Sequence, residues 1–73
     1  MDRHTVEITI KTYVAEMRAR LDEAASIARA AQACADSGNC EKAVEIALDV
    51  EQLIYEVNTF LNAASLMNRI WRE

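Results

Sequence analysis

The chain has no proline, a single glycine and four aromatic side chains in 73 residues. Without proline or glycine to punctuate it, a sheet with its several turns is excluded, and so is a flexible linker between domains. No apolar run approaches the roughly 18 residues of a membrane span, and the N-terminal MDRHT has no apolar signal core, so a cytoplasmic protein is expected. The only histidine, His4, has no nucleophile or metal-binding partner at a useful spacing. Catalytic and metal constellations built on histidine are therefore not anticipated. Basic side chains are also short, eight against twelve acidic, and the net charge of −4 argues against a strong nucleic-acid footprint.

What is present is helix-forming residue types: 52% of the chain is apolar and much of that is alanine. Asp36-Ser37-Gly38-Asn39 is the one strong break. Gly38 suits the left-handed position that ends a helix, and Asn39 suits the cap that starts the next. Glu41 then falls where a carboxylate favours the helix dipole. The reading is one all-α domain over residues 1–73, an antiparallel hairpin with a helix at about 5–36, a turn at 37–39 and a helix at about 40–72.

In the first half, Ile10, Val14, Met17, Leu21, Ala24, Ala28, Ala31 and Ala35 follow steps of three and four, the period of a seam between packed helices. Tyr13, Ile27 and Cys34 widen it on one side. In the second half, Ile46, Val50, Leu53, Val57, Phe60, Ala64, Met67 and Trp71 form a matching series, widened by Ala47, Ile54 and Leu61. Such a face carries about three apolar positions in seven, more than a two-stranded coil uses. A single partner helix cannot cover it, so association into a dimeric four-helix bundle is expected, with a homodimer or another helical protein as partner.

Helix is not the obvious state of HTVEITIKTYV, His4 to Val14, where Val6, Ile8 and Ile10 alternate with polar residues as in a half-buried strand. Length decides for helix. With the turn near residue 38, a partner matching the second helix must begin near Thr5, and Val6 and Ile10 then share the face of Tyr13, Val14 and Met17 while Ile8 points away. The β-favouring residues predict a first turn or two that frays readily. This end also carries Tyr13, Met17, Phe60, Met67 and Trp71, whereas seven of the twelve residues in AASIARAAQACA, next to the turn, are alanine. The end away from the turn should be the wider one and better able to hold a partner or ligand.

Other groupings each have a plain reading. Cys34 and Cys40 flank the turn without a metal or redox spacing, so a small core thiol and a first-turn thiol are expected, with a tip disulfide as the alternative. Glu41, Glu45, Asp49, Gln52 and Glu56 make a solvated acidic stripe on the second helix. Arg20 and Arg29 are expected across the hairpin from it, and docking of a basic partner is the alternative use. A di-iron bundle would need a Glu-x-x-His element, which is missing, and no cofactor is anticipated. Arg18, Arg20, Arg69 and Arg72 are the only basic groupings, the candidates for contacts to nucleic acid.

The stretch GNCEKAVEIALDVEQ resembles the turn and second helix of a tetratricopeptide repeat, with Gly38, Ala43 and the preceding Ala31 near its small positions. Cys40 stands where that family has an aromatic, and both helices are about twice as long as the repeat's, so the likeness implies only a tight helix turn. The whole plan is similar to the Rop family of plasmid copy-number regulators, whose hairpins pair into four-helix bundles that bind RNA hairpins. That likeness is one of architecture and implies a nucleic-acid-binding regulator as the alternative function. If the N-terminus were a strand, the order strand, helix, helix would resemble ribbon-helix-helix repressors, although the helices are too long and the domain is acidic. The expected function is a non-enzymatic interaction protein, a self-associating hairpin acting as small adaptor, chaperone or regulator.

Overall fold

A computed structural model describes residues 2–72 and contains three helices, α1 Arg3–Asp36, α2 Cys40–Ala47 and α3 Val50–Arg72. Helix α1 runs against α2 and α3 as one antiparallel hairpin. Among the described residues there is no strand, and His4 to Val14 lies wholly within α1. Local hydrogen bonds explain how a β-favouring segment is held in a helix. Asp2 caps the helix by accepting from the Thr5 N–H at 2.8 Å, and the Thr9 and Thr12 hydroxyls donate to the carbonyls of Thr5 and Ile8 at 2.8 and 2.9 Å.

The turn closes as the punctuation predicted. Gly38 takes φ +100°, its N–H donates to Ala35 O at 3.0 Å, and the Asn39 N–H donates to Cys34 O at 3.1 Å. These paired bonds satisfy the last carbonyls of α1 in the Schellman pattern. The Asn39 side chain then accepts from the Lys42 N–H at 3.1 Å and starts α2.

The second arm forms the expected second limb of the hairpin, as a bent helix in two joined pieces. It is interrupted at Leu48–Asp49, where the Asp49 and Glu51 N–H groups donate three residues back, to Ile46 O and Leu48 O, each at 3.1 Å. The tightened turn keeps the phase of the apolar series, because Ala43, Ile46, Val50 and Leu53 all remain turned towards α1.

The contact line on α1 keeps Ile10, Met17, Ala24, Ala31 and Ala35 of the expected seam, together with Val6 and the widening residues Tyr13, Ile27 and Cys34, and adds Arg20. Val14, Leu21 and Ala28, expected in the seam, lie exposed on the flank. Arg20 sits in the line opposite Glu56 and pairs with it across the hairpin. On the other arm the expected series Ile46, Val50, Leu53, Val57, Phe60, Ala64 and Met67 does face α1.

Full burial is scarce. Among the described residues only Val6, Ala24, Ala31 and Ala43 are buried, and no large side chain is completely enclosed. The hairpin is a rod of 54 × 14 × 12 Å with a radius of gyration of 16.7 Å, against about 11 Å for a compact domain of this length.

Candidate interaction surface

Two flanks of the seam have opposite character. On one, Arg20 donates from Nη1 to Glu16 Oε2 at 2.6 Å and from Nε to Glu56 Oε1 at 2.8 Å, and Gln52 Nε2 donates to the other Glu56 oxygen at 3.0 Å. The guanidinium also lies 4.7 Å from the centre of the Phe60 ring. This network bridges the two arms and holds both ends in place. The Gln52 amide and then Arg20 keep the Glu56 carboxyl below the usual carboxylate range, and Glu16 and then Glu56 push the Arg20 guanidinium above its usual one. Thr9, Glu23 and Asp49 fall on this same polar flank by helical period.

The opposite flank is apolar. Tyr13 meets Phe60 with ring centroids 5.8 Å apart, Arg20 meets Glu56, and Arg3 lies 5.8 Å from the Trp71 ring, which together fix the antiparallel register. The same register places Val14 level with Leu61, Leu21 level with Ile54 and Ala28 level with Ala47. Val14, Leu21, Ile54 and Leu61 are all exposed. They border the half-buried Ile10, Met17, Leu53 and Val57, so the apolar surface continues into the seam itself.

At the end away from the turn, a cavity of about 300 Å³ is lined by Val6, Met67, Ile70 and Trp71. That is the end where the sequence placed the wider packing. At the turn, both cysteines are free: the Cys34 thiol is half-buried, 3.6 Å from Asn39 O, and Cys40 is exposed. The four arginines considered for nucleic acid do not converge. Arg20 is engaged in the seam, Arg18 lies 3.9 Å from Asp22, and Arg69 and Arg72 end α3. The end of α3 is level with Arg3, about 22 Å along the axis from Arg18 at the helical rise. Of the acidic stripe, Glu56 pairs with Arg20 as anticipated, whereas Arg29 has no carboxylate within ion-pair distance among the described residues.

Sequence reasoning missed two features. Arg20 satisfies the seam period, three after Met17 and four before Ala24, but a charged residue was read as surface. Val44, Leu48 and Tyr55 were assigned to no face, yet they are strongly exposed on the back of the second arm. Their spacing of four and seven was the available signal.

The geometry defines a long helical hairpin with one closed polar flank and one open apolar flank. The chain matches no family model, no curated protein and no solved structure. Among the described residues, no helix is long and apolar enough to cross a membrane.

Proposed function

We propose that this chain is a non-enzymatic interaction protein that pairs with a second copy of itself through the flank of Val14, Leu21, Ile54 and Leu61. Two hairpins would form a four-helix bundle and act as a small adaptor, chaperone or regulator. The observation that carries this reading is the exposed apolar flank of a rod whose total surface exceeds that of a compact monomer. The hairpin exposes 5514 Å², about 1,000 Å² more than the roughly 4,500 Å² expected of a compact monomer of its mass. A burial of about 1,000 Å² per chain is what a stable protein interface uses.

The polar flank is a poor alternative surface for this pairing, since Arg20, Glu16, Gln52 and Glu56 already satisfy one another and would lose water on docking. Sedimentation equilibrium at micromolar concentration tests the proposal. The expected species has twice the chain mass of 8.2 kDa. A helical species that stays at the single-chain mass across that range overturns it. RNA chromatography at low salt tests the alternative, and retention that fades as salt rises would favour it.

A further inference from the structure

The second arm carries another apolar surface that pairing through the Leu21 and Ile54 flank leaves uncovered. Val44, Leu48 and Tyr55 point away from α1 and are 61, 61 and 67% exposed, the three most exposed large apolar side chains of the hairpin. They run along about 16 Å of the helix axis. A shallow, open indentation on this face is lined by Leu48, Glu51, Gln52 and Tyr55. A large aromatic and a leucine beside a concavity are the elements of an anchoring site for a partner's side chain.

Charge selects the partner. From Cys40 to Asn58 five carboxylates stand against one lysine, a net −4 equal to that of the entire chain, while the remaining residues hold seven charges of each sign. Glu41, Glu45 and Glu51 are exposed and border the stripe, and the lone cation, Lys42, lies 3.5 Å from Glu45. An acidic border around an apolar stripe favours an apolar face edged by lysine or arginine and repels an acidic one.

We infer that the stripe of Val44, Leu48 and Tyr55 is a docking site for a basic amphipathic helix of another protein. The helix lays its apolar face along the stripe, seats one large side chain in the indentation and sets its cations against Glu41, Glu45 and Glu51. In the proposed pair of hairpins this site would occur twice. The site itself does not require pairing.

Fluorescence anisotropy with a labelled lysine–leucine peptide of about four helical turns, amphipathic in one version and scrambled in the other, tests the inference on the full chain. The amphipathic peptide is expected to bind and the scrambled one of equal charge to bind at least about ten-fold more weakly. Replacing Leu48→Ser together with Tyr55→Ser keeps the charge unchanged and is expected to weaken binding by a similar factor, with helicity retained by circular dichroism. Glu41→Gln, Glu45→Gln and Glu51→Gln together should flatten the fall of affinity with salt. Equal affinity for both peptides, or no effect of the Leu48 and Tyr55 substitutions, overturns the inference. Loss of self-association in that double variant also overturns it, by assigning the stripe to a second copy. Because Leu21→Glu breaks pairing without touching the stripe, a monomeric chain that still binds the amphipathic peptide separates this inference from the pairing proposal.

Discussion

Substituting Leu21→Glu is the sharpest probe of the apolar flank. Leu21 is 45% exposed in the single hairpin and lies near the middle of its length, level with Ile54 at 48%. Burying the remaining half of a leucine contributes about 1 kcal/mol per chain, and two-fold symmetry doubles it to about 2 kcal/mol per pair. Leu21→Ala, which removes only this contribution, should therefore weaken pairing roughly 30-fold. Glutamate adds two desolvated carboxylates near the symmetry axis, each costing at least about 1–3 kcal/mol, so Leu21→Glu should weaken pairing by about three orders of magnitude or more. Sedimentation equilibrium of the three chains, with circular dichroism at the same concentrations, reads both effects. The melting temperature should fall with the loss of pairing while helicity at low temperature is kept, and in the parent it should depend on concentration, because among the described residues the single hairpin encloses no large side chain. A Leu21→Glu chain that pairs as tightly as the parent refutes the assignment of this flank.

Acid should destabilise the hairpin. Glu56 and Asp2 have folded pKa values below their unfolded ones, Asp2 through the Thr5 N–H, so their contribution is complete above the unfolded values of about 4 and is lost as pH falls through the folded ones. Melts from about pH 7 to 2 at fixed concentration should show this decline, shallower in Glu56→Gln; a melting temperature that rises below about pH 4 refutes it. Arg20 stays charged throughout this range and adds no pH dependence of its own. Gly38→Ala meets no atom within 4 Å at the new Cβ, so its cost is conformational, about 1–2 kcal/mol at positive φ, visible as a lower urea midpoint with unchanged slope. Arg20→Leu leaves the Glu16 and Glu56 carboxylates without their cation, so it should lower the melting temperature at pH 7 and fixed concentration; an unchanged or higher one refutes the bridging role of Arg20.

Much of the fold was legible because its determinants are local or periodic. The Gly38-Asn39 turn needs one positive φ and one cap, and both residue types announce themselves. The apolar series from Ile46 to Met67 needs only its steps of three and four. The pairing of Arg20 with Glu56 across the hairpin was anticipated, but that Arg20 sits in the contact line itself was not, because an apolar period passes over a charged residue. The interruption at Leu48–Asp49 carried no signal either, lacking proline and glycine and preserving the apolar phase across it. Of the proposed interaction surface, Ile54 and Leu61 were named from width, an argument about how much one helix can cover, whereas Val14 and Leu21 were read as members of the seam. The stripe of Val44, Leu48 and Tyr55 escaped because it lies outside both the seam and its flanks, where a period tuned to the seam does not look.

The uneven side-chain sizes along the rod have a geometric consequence. Ala24, Ala31 and Ala43 are the buried residues from mid-length to the turn, whereas the bulky Tyr13, Phe60, Met67 and Trp71 are gathered towards the other end. A second copy laid in the same direction would bring both bulky ends together. Laid head to tail, the alanine-rich half of each chain would lie beside the aromatic end of its twin, and large side chains would meet small ones along the whole length.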